Sequence, residues 1–179
     1  MNKLTIYLSG LGALGIAGCA SYADVEPAAP PAAYTANADL RSASGLAVGT
    51  ATATQVGGDI RVRIDGMNLP MGGHGLHVHM TGICAAPGFE SAGGHWNPTG
   101  HKHGKDNPAG MHKGDLPNFL IGADGRGTME YTIPNAAVTG RIGMLDADGA
   151  SIVVHANPDD NRTDPSGNSG GRIACGVFR

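Results

Sequence analysis

The sequence predicts an all-β domain, an antiparallel sandwich or barrel. Three observations lead there. Glycine is abundant at 30 of 179 residues, and aromatic residues make up only 4%. Such a composition favours turns over long helices. Short apolar runs recur with turn residues between them, and the clearest of these alternates with a period of two.

The elements follow in order. Leu46 to Val56 is rich in Val, Thr and Ala and reads as a strand. Gly57-Gly58 is a tight-turn signal. After it Ile60, Val62 and Ile64 alternate with Arg61, Arg63 and Asp65, so the pair predicts a β-hairpin. Gly75 to Met80 is a third strand. Phe119 to Ile121, Gly127 to Ile133, Gly140 to Met144 and Ala150 to His155 follow at short spacing. Residues 81 to 118 carry neither period, and a structureless loop of that length inside a compact domain is usually functional. No internal repeat is present.

The N-terminus is different in kind. Lys3 precedes a mostly apolar run from Leu4 to Ala17, too short and too rich in glycine for a membrane span. Residues 1–18 read as a signal peptide. Ile16-Ala17-Gly18-Cys19 resembles the bacterial lipobox, which implies cleavage before Cys19, lipid on that residue and sorting to the outer membrane. The other reading is an ordinary secretory signal with an incidental cysteine. Residues 19–38, Pro/Ala-rich, are expected to be a flexible tether. Residues 39–179 form the folded domain, about 140 residues, enough to bury roughly two-thirds of the unfolded surface. With Cys19 lipidated, Cys84 and Cys175 remain, and in an oxidising compartment they can pair; two free buried thiols are the alternative. The net charge of −3 gives no basic balance for nucleic acid.

Histidine distribution carries the chemistry. Seven of the eight histidines fall between residues 74 and 112, and the eighth is His155. One histidine is usually a polar residue with a partner, but seven within about 40 residues call for metal, since neutral imidazole suits copper and zinc. His77 and His79 stand at i and i+2 of a strand, so both rings share a face and can converge on one ion. His155 ends another strand and reaches the same ion if the two strands are neighbours. His95, His103, His112 and Asp115 can fold over a second ion, three imidazoles and a carboxylate being a zinc set of the closed, structural type.

Six ordered segments carry a family resemblance. They are Gly75-Leu76-His77-Val78-His79, Ser91-Ala92-Gly93-Gly94-His95-Trp96-Asn97-Pro98, His103-Gly104, His112-Lys113-Gly114-Asp115-Leu116, Val153-Val154-His155 with Pro158-Asp159-Asp160, and Gly171-Arg172-Ile173-Ala174-Cys175-Gly176-Val177. Over roughly residues 44 to 179 the chain resembles the copper/zinc superoxide dismutases, in a bacterial, exported form. The resemblance implies a Greek-key β-barrel or sandwich of about eight strands with long metal-binding and active-site loops. It implies copper on His77, His79, His95 and His155, and zinc on His95, His103, His112 and Asp115, with His95 shared. It implies Asp159 as a carboxylate linking His77 and His103, Arg172 as the guide for an anion beside copper, and a Cys84–Cys175 bridge. His74 and His101 match no ligand position and read as solvated or supporting residues; Lys102, Lys105, Lys113 and Arg162 are weak candidates for added positive field. The implied activity is dismutation of superoxide outside the cytoplasm, catalysed by Arg172 and His95 with copper. The alternatives are a periplasmic copper or zinc buffer without catalysis, or a structural disulfide-bonded sandwich. The expected partners are superoxide and, through lipid on Cys19, a membrane. A homodimer stays open, with no interface pattern to locate it.

Overall fold

The computed structural model describes residues 34–179. Nine strands run in chain order: β1 Thr35–Ser42, β2 Ala47–Val56, β3 Asp59–Gly66, β4 Gly72–His74, β5 Leu76–His79, β6 Phe119–Ile121, β7 Gly127–Ile133, β8 Ser151–His155 and β9 Arg172–Val177. Seven form one curled antiparallel sheet in the order β5-β8-β9-β1-β2-β3-β7, and β4 pairs with β6. The all-β expectation holds, and the predicted hairpin is β2–β3, in register from Val56↔Asp59 to Gly49↔Gly66. Its Ile60, Val62 and Ile64 are fully buried, while the intervening Arg61 and Arg63 face solvent.

Two expectations are corrected. The sequence predicts a tether through residue 38, yet Thr35 already opens β1. Ala36, Ala38 and Leu40 point inward from that strand and Thr35, Asn37 and Asp39 outward. Alanine, asparagine and aspartate are poor strand formers alone; pairing on both sides, to β2 and β9, decides the conformation. Gly140 to Met144 is not a strand. The chain turns there, with Gly143 donating to the Gly140 carbonyl (2.9 Å) and Met144 to that of Ala137 (2.8 Å). Met144 is buried in the main core, whereas Ile142 is exposed, so the segment contributes one apolar side chain to the core without pairing into a sheet. Within the long loop, Glu90–Ala92 forms one turn of 3-10 helix.

Strand β8 explains how the fold positions its histidines. All five of its residues are buried. Ile152 and Val154 join Leu76 and Val78 in the main core, whereas Val153 faces a smaller cluster with Phe89, Ala92 and Cys175. A strand covered on both faces reads as a continuous apolar run. In the β5–β8 pairing His77 stands opposite Val153, so His77, His79 and His155 emerge on the outer face, under the long loop.

Candidate metal centre

The β5–β8 pairing brings three histidines from two strands beneath a loop that supplies four more donors. Val78 holds that loop in place: its N–H donates to the Gly114 carbonyl (2.9 Å) and its carbonyl accepts from Trp96 N–H (2.8 Å). Gly114 is required at this crossing, because a Cβ there would overlap the Val78 carbonyl oxygen. His95 and Asp115 flank these anchors in sequence.

His77, His79, His95 and His155 are all buried, with one ligand nitrogen each inside a mutual distance of 4.8 Å. Their other nitrogens are already engaged. His77 Nε2 meets Asp159 Oδ2 at 2.8 Å, His79 Nδ1 donates to the Gly93 carbonyl at 2.9 Å, and His155 Nδ1 donates to that of Gly170 at 3.1 Å. His95 Nδ1 meets Asp115 Oδ1 at 2.8 Å. What remains is His77 Nδ1, His79 Nε2, His95 Nε2 and His155 Nε2, each buried without a hydrogen-bond partner. Four converging buried nitrogens with nothing to bind would cost several kcal/mol. They suit one cation that prefers imidazole, such as copper. Burial also holds them neutral, the ligand form. It lowers His77 to about 3 against the raising effect of its Asp159 hydrogen bond, His79 to about 2 and His155 to about 4.

The second cluster gathers round Asp115. Its Oδ1 lies 2.8 Å from His95 Nδ1, 3.0 Å from His103 Nδ1 and 3.1 Å from His112 Nδ1. Three nitrogens and one carboxylate oxygen are the donor set of a closed zinc site. His77 also lies within reach of His95, His103 and Asp115. Its Nε2 is taken by Asp159, so its open Nδ1 serves the first cluster. His95 touches both clusters, one nitrogen to each, and its ring stacks on His77 at 3.9 Å between centroids. Burial would lower His103, yet its hydrogen bonds to Asp115 and Asp159 prevail and raise it to about 9. Burial likewise opposes ionisation of Asp115, but hydrogen bonds from His103, His112 and His95 hold it far below the usual carboxylate range.

Asp159 joins the clusters from behind, with Oδ1 3.0 Å from His103 Nε2 and Oδ2 on His77. Asn118 locks it in place, accepting from Asp159 N–H (2.7 Å) and donating to its carbonyl (2.8 Å). A carboxylate that fixes two ligand rings sets their tautomers. The backbone of Gly167, at φ 62°, packs directly on this bridge, where a Cβ would overlap Asp159 Oδ1.

Arg172 lines a cavity of about 330 Å³ together with His79, His95 and His155. Its guanidinium donates to the carbonyls of Phe89 (2.6 Å) and Gly93 (2.7 Å). The Gly93 carbonyl therefore holds both a ligand ring and the cation. Cys84 and Cys175 are bridged, with Cα atoms 5.8 Å apart, which ties the loop carrying Phe89 to β9 close to Arg172. Lys102, Lys105, Lys113 and Arg162 do not line this cavity. Lys102 pairs with Asp164, Lys105 with Asp106, and Lys113 donates to the Pro134 carbonyl.

Sequence reasoning missed Asn118, and of its two readings of His74, solvated or supporting, the structure selects the supporting one. His74 is buried, its Nδ1 2.8 Å from the His155 carbonyl and its Nε2 2.8 Å from that of Pro70. It ties a ligand strand to the loop before β4. Its partners are main-chain atoms, and no spacing pattern signals such a contact. His101 is exposed, as expected of a residue matching no ligand position. Cys19 and the signal and lipobox readings lie outside the described residues.

Comparisons with known proteins agree with this geometry. A family model described as copper/zinc superoxide dismutase matches residues 47–178. A superoxide dismutase-like protein, YojM, of Bacillus subtilis is 36% identical over 99% of this chain and 96% of its own length. A Cu-Zn superoxide dismutase of Caulobacter vibrioides is 40% identical over 81% of this chain and 86% of its own. Among solved structures, a SOD-like protein from Bacillus subtilis superposes with a TM-score of 0.75 at 38% identity, covering 79% of this chain and 96% of that one.

Proposed function

The chain belongs to the copper/zinc superoxide dismutase family, and from that premise we propose that it is an enzyme converting superoxide to dioxygen and hydrogen peroxide. The family's metals are copper and zinc, and the two clusters fit them. Copper among His77 Nδ1, His79 Nε2, His95 Nε2 and His155 Nε2 supplies alternating one-electron chemistry. Zinc among His95, His103, His112 and Asp115 is structural.

The chain's residues do the rest. Arg172 presents one fixed positive charge to an anion entering the cavity it shares with His79, His95 and His155. The Phe89 and Gly93 carbonyls keep that charge aimed without neutralising it. His95 is the ring with one nitrogen in each cluster. Its Nδ1 is held at Asp115, which leaves Nε2 as the atom where a proton can be taken up and passed to departing peroxide. Asp159 keeps His77 and His103 from rotating, so the donor nitrogens stay aimed inward.

The reading is carried by four buried, partnerless imidazole nitrogens converging beside one guanidinium. A riboflavin–nitroblue tetrazolium activity gel, run with and without cyanide beside copper and zinc analysis, tests it. A cyanide-sensitive band supports the enzyme. Bound metal without activity selects a copper or zinc buffer, a reading favoured by the relatives named only superoxide dismutase-like. Neither metal nor activity overturns both.

The location is also a proposal. Lys3, the apolar run after it and Ile16-Ala17-Gly18-Cys19 support export, cleavage before Cys19 and a lipid anchor in the outer membrane. Mass spectrometry of the mature N-terminus decides this, and an unmodified Cys19 refutes the anchor.

A further inference from the structure

Two hollows adjoin the zinc cluster apart from the cavity that holds Arg172. The larger, about 240 Å³, is lined by His101, Met111, His112 and Tyr131. The smaller, about 50 Å³, is lined again by Met111 and Tyr131, and by Asp115 and Asp159. Neither includes Arg172, and His112 is the one metal-cluster residue that the larger shares with the Arg172 cavity. We propose that these hollows are the approach by which zinc reaches its site, with His101 and His112 as outer landing ligands and Met111 and Tyr131 as the gate between the two. The inference rests on zinc occupying the Asp115 cluster.

Charge separates the two sides. A divalent cation entering the Arg172 cavity meets a guanidinium and the open nitrogens of His79, His95 and His155, which would capture it on the copper side. Behind, it meets the imidazoles of His101 and His112 and then the two carboxylates of Asp115 and Asp159. Field lines in a low-dielectric hollow concentrate counter-ions, and here the sign suits a cation. The lysines at the rim do not reverse it. Lys105 is paired with Asp106, and Lys113, which lines the larger hollow and keeps its charge while donating to the Pro134 carbonyl, is outnumbered by Asp115 and Asp159 behind it.

The landing site has the right chemistry. His101 is exposed, its Nδ1 stands 3.3 Å from the Met111 carbonyl, and among the described residues no hydrogen bond engages its Nε2. The side chain of His112 is more exposed than those of the other zinc-cluster ligands, and that of His103 is fully buried. Imidazoles at the outside and carboxylates at the inside give an incoming ion donors at each stage, so it need not shed all its water at once.

The test follows zinc alone. Metal-free protein is mixed with zinc to time uptake, and zinc-loaded protein is mixed with a chromogenic chelator to time release. A gate changes both rates together and leaves the dissociation constant unchanged, which a merely damaged site does not. Tyr131→Ala is expected to speed both, and His101→Ala to slow both by about tenfold, the scale of local ion focusing. If Tyr131→Ala fails to fold, the exposed His101→Ala still tests the route through its own slowing of both rates. Unchanged rates in His101→Ala overturn the route. So does a weakened dissociation constant that accounts for the rate change, or slower zinc uptake when Ser166→Trp fills the Arg172 cavity. Asp115→Asn separates the two levels: if zinc still binds with full affinity, the zinc-site assignment itself fails.

Discussion

Replacing Cys84 by serine and Cys175 by alanine removes a bridge across 91 residues of sequence. In the chain-entropy model, closing a loop of that length lowers the unfolded chain's entropy by about 15 cal/mol/K, or about 4.6 kcal/mol at room temperature. The native state loses something more specific. The bridge ties β9, which carries Arg172, to the loop whose Phe89 and Gly93 carbonyls hold the guanidinium. Two effects therefore separate by assay. Urea unfolding of metal-free protein reads the entropy: with a slope of about 2 kcal/mol per molar, the midpoint is expected to fall by about 2 M. Metal-loaded protein reads the guanidinium: turnover at low substrate is expected to fall and to lose part of its dependence on ionic strength, since that dependence comes from a fixed charge attracting an anion. A midpoint shift below about 0.5 M at unchanged slope would refute the entropic reasoning. An unchanged salt dependence would refute the claim that the bridge aims Arg172.

Other outcomes follow from single contacts. His74→Ala leaves the His155 and Pro70 carbonyls without their ring partner and is expected to cost about 2 kcal/mol in thermal or urea unfolding, with weaker copper retention against a chelator. Gly167→Ala drives a methyl into Asp159 at a backbone angle that favours glycine, so both metals are expected to leak on dialysis although no ligand has changed. Metal-free protein is expected to lose stability as pH falls. His77, His79 and His155 have folded pKa values of about 3, 2 and 4, below the ordinary 6.5, so below pH 6.5 the unfolded chain binds more protons. The loss should run from pH 6.5 downward, with His155 ceasing to contribute near 4, His77 near 3 and His79 near 2. His103, raised to about 9, contributes with opposite sign, stabilising below 6.5 and fading as pH rises through 9. Unfolding midpoints at pH 7.5 and pH 5 check the balance, which three histidines against one decide. His95→Ala is expected to abolish activity even where zinc is partly retained, checked by metal content beside the gel assay.

Much of the site was legible because its donors are side chains at short, periodic offsets. His77-Val78-His79 states its own geometry, since i and i+2 of a strand share a face. The β2–β3 hairpin was legible for the same reason, with Ile60, Val62 and Ile64 on one side of a Gly-Gly turn. What escaped is written in main-chain atoms or in tertiary pairing. The Gly93 carbonyl that holds His79 and Arg172 has no side chain to announce it. Strand β1 has an Ala-Asn-Ala-Asp core and a Pro/Ala-rich neighbour, and only β2 and β9 make it a strand. Gly140 to Met144 has a strand's apolar content but folds back on itself, and composition does not distinguish the two.

The adjacency of β5 and β8 has a consequence for biogenesis. Ribosomes build the chain from its N-terminus, so His77, His79 and His95 exist well before their partner His155, the carboxylate of Asp159 and the guanidinium of Arg172. A chain that has reached the end of β7 has every zinc donor but lacks His155 of the copper set, the Asp159 carboxylate that fixes His77 and His103, and the partner of Cys84. The copper set can close only when β8 and β9 dock beside β5, so the last segments of the chain decide when that ion is held.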